Sequence, residues 1–362
     1  MKKLLFFISL FSLTFKIQAQ EESKSITTSL PFLLISSDAR AGGMGEAGVA
    51  TSSDAFALFH NPAKIAFNKN ALSIGANYVP WLRNLTEDIF AGNLSVVHRI
   101  NETSGWGADL KYFSLGQIER TNEDGLPTGY TNPSEFALSG YYAMKLSEKF
   151  SMSVGLKYIN SNLDIDDSFS AINSFGVDIS GYYQSDEENY GSFNGRYRLG
   201  FNIANIGPKV EYTAGEENFI PTIAKIGGGF DFIFDDFNTL GLNLEFRKLL
   251  VPSSGTESSR GWFEGMFTSL GDRNFSEELQ EVNWTLGAEY LYNDAFAVRA
   301  GYFHESEVKG NRQYFTLGAG FKARAFSLDL SYLMNASDVN NPLENTLRFS
   351  LAFDLGEIYE DY

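Results

Sequence analysis

The sequence predicts an all-β protein, a 14-stranded antiparallel outer-membrane β-barrel carrying a small-residue plug. Three observations predict it. Fourteen stretches, most of ten to thirteen residues, alternate apolar with polar side chains, which is long for a soluble sandwich and suits a tilted membrane strand. Their connections alternate between short and long, as turns on one side and loops on the other. Residues 36–67 are rich in Gly, Ala, Ser and Thr and too small-sided to bury a core of their own.

In chain order, residues 1–19 come first. Lys2 and Lys3 precede an apolar run from Leu4 to Phe15 and then Ile17, Gln18 and Ala19. That is the form of a secretory leader cleaved after Ala19. The run is too short to be read as a membrane-spanning helix. With no cysteine in the chain, lipid attachment through a lipobox and disulfide bonds are both excluded. Losing the leader's three lysines takes the formal charge from −17 to about −20. So acidic a chain does not suit nucleic acid, which calls for basic patches.

The division expected is 1–19 signal peptide, 20–70 plug segment and 71–362 barrel. The strands are placed at 71–79, 90–100, 104–115, 134–146, 149–160, 171–183, 195–205, 223–234, 238–250, 282–292, 295–304, 312–322, 325–334 and 345–355. In one of them Phe150, Met152, Val154, Leu156 and Tyr158 alternate with Ser151, Ser153 and Lys157; in another Leu240, Leu242, Leu244 and Phe246 alternate with Asn243, Glu245 and Arg247. Such a period of two gives one apolar and one polar face. An even strand count places both termini on the short-turn, periplasmic side. One connection, 184–194, is long where a short turn is due, so it is either a longer turn or a fault in the count. Tyr78, Trp81, Trp106, Tyr112, Tyr292, Tyr302 and Tyr332 lie near strand ends, where interfacial aromatic girdles sit, although strands favour aromatics in any case.

Within 36–67, Gly43, Gly45 and Gly48 fit the G-x-G-x-x-G pattern. A dinucleotide site would need a strand before it and a helix after it, and neither is present, so the segment reads as a plug. Its glycines are expected in tight or left-handed turns, and Asn61-Pro62 as an extended exit into the first strand. His60, His98 and His304 are far apart in sequence, and a metal site needs clustered ligands. No metal and no cofactor is expected. Asp235-Asp236 and Asp164, Asp166 and Asp167 read as solvated turn carboxylates, the latter group a weak Ca²⁺ candidate.

The runs Asp38-Ala39-Arg40-Ala41-Gly42-Gly43-Met44-Gly45-Glu46-Ala47-Gly48-Val49-Ala50 and Phe59-His60-Asn61-Pro62-Ala63 resemble the N-terminal hatch of FadL-type outer-membrane transporters. Within that superfamily, 31–67 is similar to the PorV branch, sister to the PorQ branch, of the type IX secretion system of Bacteroidota. The resemblance implies a fourteen-stranded barrel closed by its hatch and acting without catalysis. It also implies partners: a Sov/SprA-type translocon barrel, a PorU-type sortase attachment complex, secreted substrates with C-terminal signal domains, and outer-membrane lipid.

The longest loop, 251–281, faces outward by strand parity and holds Trp262, Phe263, Met266, Phe267 and Leu270. An exposed apolar cluster of this kind marks a partner site, or else a cap folded over its own barrel. Two further classes stay open: a FadL-like channel for hydrophobic molecules, and a lipid-modifying barrel enzyme built around His98.

Overall fold

The computed structural model describes residues 25–36, 38–82, 86, 88–122, 124–163, 171–213, 215–253, 260–337 and 343–359. The leader at 1–19 and the acidic group of Asp164, Asp166 and Asp167 lie outside them. Fourteen long strands form the wall. They are β1 (Asn70–Pro80), β2 (Phe90–Arg99), β3 (Ser104–Ser114), β4 (Ser134–Ser147), β5 (Phe150–Asn162), β6 (Ile172–Gln184) and β7 (Asn194–Ile206). The second half comprises β8 (Ile223–Ile233), β9 (Asn238–Leu249), β10 (Asn283–Tyr292), β11 (Phe296–His304), β12 (Gln313–Ala323), β13 (Phe326–Asn335) and β14 (Leu347–Ile358). Each predicted strand is present, with its ends displaced by three residues or fewer. Consecutive strands pair antiparallel, and β14 returns to β1 with Phe349 opposite Tyr78 and Phe353 opposite Ile74. The ring is closed and leaves no barrel edge exposed.

Period-two alternation is resolved inside out. Leu138, Leu156, Phe175, Leu199 and Ile226 stand exposed on the outer wall, while Asp109, Ser139, Ser153, Asn202, Glu245 and Arg299 are buried inward. A soluble sandwich buries its apolar face; a membrane barrel turns it to lipid and keeps the polar face for the lumen. Aromatic rings form a row over β1–β6 at the long-loop end. Tyr78–Phe90 centroids are 5.4 Å apart, Phe90–Tyr112 5.9 Å, Phe136–Tyr158 6.0 Å and Tyr158–Phe175 5.5 Å. Trp81 departs from this row. Its ring meets Phe113 edge-on at 6.4 Å, and Phe113 packs on the apolar cluster at the mouth of the lumen.

The long connection at 184–194 is a hairpin, and the strand count stands. Glu188–Asn189 pairs back on Asn194 and Gly195, and the Tyr190 N–H donates to the Phe193 carbonyl at 2.9 Å. The long loops carry their own structure: a ribbon of Ile118–Thr121 with Pro127–Thr131, a second of Val210–Glu211 with Glu217–Asn218, and two short helices in 251–281.

The ends of the described chain do not lie on one side. β14 runs toward the short turns, where the Tyr359 N–H donates to the Lys69 carbonyl. Residues 29–35 sit at the opposite mouth. Ser29 N–H donates to the Phe219 carbonyl at 2.9 Å, and Leu30, Phe32 and Leu33 pack with Ile159, Ile172, Val210 and Ile220. The chain therefore threads the lumen from the long-loop mouth down to β1, because its apolar 30–33 stretch finds its burial among the loops.

Candidate functional site

Between residues 38 and 67 the chain circles the inside of the wall. Asp38 caps α1 (Ala39–Gly43), its carboxylate accepting the Ala41 N–H at 2.8 Å and also bonding His60. Ala39 N–H donates to Ser350 Oγ of β14 at 2.7 Å. Gly45, with φ of +66°, makes the left-handed turn that glycine permits, and its N–H donates to Thr316 Oγ1 of β12 at 2.8 Å. Gly42 and Gly43 serve approach instead. A Cβ on Gly43 would stand 3.0 Å from the Gly318 backbone, and one on Gly42 2.7 Å from Arg348. Gly48 has no room for a Cβ because the His60 ring lies against it. Met44 is buried against Gly287 of β10. These glycines recur because the segment is laid directly on the wall.

Asn61 is extended, at φ −157° and ψ 94°. Pro62 and Ala63 then start a 3₁₀ helix, Pro62–Phe67, and not an exit into the first strand. Asn61 Nδ2 bridges the Val49 and Gly181 carbonyls at 2.8 and 3.0 Å, and its Oδ1 accepts the Ala63 N–H. Asn61 thus caps the helix and ties the segment to β6 at once.

Charge fastens the segment to the wall. Arg40 holds Glu289 of β10 bidentately at 2.8 and 3.0 Å and Asp54 at 2.7 Å. Glu289 is shared with Arg299 at 2.6 Å, and Arg299 reaches Asp329 at 2.6 Å. On the other side Glu46 takes Arg348 at 2.7 Å and Arg247 at 3.1 Å, while Glu245 accepts the Gly48 and Val49 N–H groups at 2.8 Å. Lys64 is fully buried and donates to the Gly48 carbonyl at 2.9 Å and Thr51 Oγ1 at 3.0 Å. Bidentate guanidinium–carboxylate geometry is the strong form of such bonds. The sequence reading missed Glu46, Lys64 and all the wall partners. Their signal was present: Glu245, Arg247, Glu289, Arg299, Asp329 and Arg348 each occupy an inward position of a strand that otherwise alternates with lipid-facing apolar residues.

Beneath the segment lies a vestibule of about 490 Å³ that opens between the short turns, lined by Arg40, Asp54, Arg198, Asp231, Arg299 and Asp329 among others. A second cavity of about 60 Å³ sits higher, among Lys111, Tyr141, Lys157, Asp178, Asn202 and Lys225. The three histidines are not brought together. His60 is in the lumen, His98 stacks on Trp106 at 5.6 Å, and His304 on Trp284 at 5.2 Å. Asp235 accepts the Phe237 N–H and the Asn238 amide within its turn.

At the long-loop mouth, 251–281 folds into α2 (Trp262–Thr268) and α3 (Phe275–Gln280). Phe263, Phe267 and Leu270 are 57–59% exposed, and Trp262 is 37% exposed. Met266 is half-buried, and Gly265 rests on the Phe219 ring. The predicted cluster is therefore gathered on α2 and, at Leu270, just past its end, and is turned outward, not folded down as a cap. Asp272, Glu278 and Glu281 converge beside it, but Lys248 spans Glu278 and Glu281 at 2.8 and 2.6 Å, and Lys309 holds Glu281 at 2.8 Å. Ammonium groups already meet that charge. Partial burial favours the neutral form of Asp272, but the N–H and hydroxyl it accepts from Ser253 outweigh this and hold its carboxyl below the ordinary range.

A family profile described as "Type IX secretion system protein PorV" matches residues 18–256. The chain belongs to the PorV family. No protein with a curated description matches it. Among solved structures, a TodX monoaromatic hydrocarbon channel mutant is 12% identical, over 87% of this chain and 96% of that one, with a TM-score of 0.51. The Pseudomonas putida toluene transporter TodX is 13% identical over 92% and 98%, with a TM-score of 0.49. A Pseudomonas aeruginosa FadL homologue is 14% identical over 91% and 99%, with a TM-score of 0.45. Such identities speak for fold alone. The PorV-family chain is thus an outer-membrane β-barrel protein of the type IX secretion system, with a fold similar to that of the TodX channel mutant.

Proposed function

We propose that this barrel is the docking and shuttling component of its secretion system. It binds the Sov/SprA-type translocon barrel, receives substrates through their C-terminal signal domains, and passes them to the PorU-type attachment complex at the cell surface. The observation that carries this reading is α2. Three aromatic side chains stand exposed on this short helix, with Leu270 exposed just past its end, and aromatic anchors of this kind dominate protein interfaces. The lumen takes no part in transport on this reading: residues 38–67 act as a fixed plug, held by buried ion pairs. A channel for hydrophobic molecules is the second reading. The charged lining of the vestibule, with Arg40, Arg198, Arg299, Asp231 and Asp329 on its walls, is poorly matched to an apolar solute.

Replacing Trp262, Phe263 and Phe267 with Ser tests the proposal. The variant should lose its translocon and attachment partners in a gentle detergent pull-down read by mass spectrometry, while unboiled protein still migrates as a folded barrel. Retained partners together with retained secretion would overturn it.

A further inference from the structure

The hairpin at 185–194 is the one connection that breaks the short-turn rule, and its residues do not hang in solvent below the barrel. Gly195 faces the outer wall of β7, and a Cβ there would stand 2.7 Å from the Tyr190 ring and 2.5 Å from the Phe230 ring. The hairpin has therefore folded up against the outside of β7 and β8. Its Tyr190 and Phe193 rings stack at 5.4 Å. Tyr190 meets Phe230 edge-on at 5.9 Å, and Phe193 meets Phe232 at 5.3 Å and Phe234 at 6.4 Å. Phe230, Phe232 and Phe234 are alternate residues of one outward face, with the first pair at 4.7 Å. Stacked Tyr183 and Tyr197, 5.8 Å apart, extend the patch.

We infer that this hairpin is an interfacial membrane anchor, seated among the lipid headgroups and upper acyl chains of the leaflet on the short-turn side. The patch is continuous with the lipid-facing wall, since Leu199 and Ile226 are exposed on the same face of β7 and β8. Polar groups of the hairpin flank the rings, and the Tyr190 hydroxyl donates to the Glu188 carboxylate at 3.4 Å. Asp186 pairs with Lys149 at 2.5 Å, and Glu187 lies 3.7 Å from Arg196. Rings with polar groups at their rim are the arrangement an interface rewards: Tyr at a membrane surface buries an apolar body while keeping its hydroxyl wet, and Phe adds apolar area beside it. The extra residues in this turn supply those two rings, which explains why it is longer than a strand reversal needs. The acidic turns here, Asp186, Glu187 and Glu188 with Asp235 and Asp236 next to them, match ammonium-bearing, zwitterionic headgroups better than anionic ones.

The chain has no cysteine, so a single introduced thiol is unique. Ser192→Cys at the hairpin tip and Asp236→Cys on the neighbouring turn are each labelled with NBD. The labelled proteins are reconstituted in phosphatidylethanolamine–phosphatidylcholine bilayers with or without a spin label near the top of the acyl chain. The tip fluorophore should be blue-shifted and quenched severalfold more by the spin-labelled lipid than the one at 236. In a Tyr190→Ser, Phe193→Ser background that difference should vanish while heat-modifiable folding persists. Equal quenching of both positions by aqueous iodide, with none by lipid, would overturn the inference. So would protection of position 192 only in native membranes, because a protein would then be covering the patch.

Discussion

Substituting Arg40 with Met removes the guanidinium that joins α1 to the wall and keeps the volume of the side chain. Five hydrogen bonds go with it, to Glu289, Asp54 and Ser52. The partners are not left equally stranded. Glu289 keeps Arg299 at 2.6 Å, and Asp54 borders the open vestibule, where water can reach it. Breaking a buried ion pair costs about 3–5 kcal/mol when the survivor has no other partner. Here both survivors stay compensated, so the cost falls below that range, at about 2 kcal/mol for the lost charged hydrogen bonds, and the loss falls on plug docking, since no strand pairing involves Arg40. At about 1.4 kcal/mol per tenfold, the displaced plug should become roughly thirtyfold more populated. Single-barrel conductance in planar bilayers reads this directly, as brief openings that are rare in the parent and frequent in Arg40→Met. Amide exchange over 38–60 should accelerate in parallel, while the wall strands keep their protection and the protein stays heat-modifiable. Openings and exchange indistinguishable from the parent would show that the pairs do not hold the plug.

The remaining predictions are briefer. Deleting 36–67 should leave an inserted, heat-modifiable barrel with steady ion conductance, and an unchanged, silent barrel would count against a plug. Gly48→Ala drives a methyl into the His60 ring and should cost about 1–3 kcal/mol as overpacking, seen as a lowered midpoint in thermal melts; a neutral effect would mean that the ring moves freely. Asp272 contributes as a carboxylate held below its ordinary pKa. Its support for the α2–α3 loop is present above about pH 4 and lost as pH falls through the folded value. Exchange in 262–280 should therefore rise in acid before the wall responds, and Asp272→Asn should abolish that acid sensitivity.

Strand positions were legible because lipid and lumen impose opposite demands on neighbouring side chains. Leu138 beside Ser139, or Leu244 beside Glu245, writes that contrast into the text. The small side chains of 38–50 were legible as composition: a segment laid on glycine-bearing walls must itself be small, as at Gly42 and Gly43. Its path was not legible. Asn61-Pro62 reads equally as a turn, an exit or a helix cap, and only the Val49 and Gly181 carbonyls select the cap. Nor could local pattern reveal that Arg40 meets Glu289, a partner 249 residues away. The mouth at which residues 29–35 emerge depended on Phe219 and Ile220, which lie in a loop without periodicity. Trp81 was misassigned to the girdle for a related reason, since a ring at a strand end can turn to lipid or back over the lumen.

The threaded path of residues 29–69 sets an order of assembly. These residues precede every strand in the chain, yet they touch the last one: Ala39 bonds Ser350, and Glu46 bonds Arg348. A polypeptide spanning the bore from mouth to mouth cannot be inserted sideways once β14 has zipped to β1. The seam must therefore close around a segment already in position. Contacts separated by about 300 residues are entropically slow to find by search. Buried guanidinium pairs placed near the seam give the correct closure an electrostatic register mark. Variants that weaken those pairs should then close more slowly during biogenesis, while the barrels that do close keep a normally registered wall.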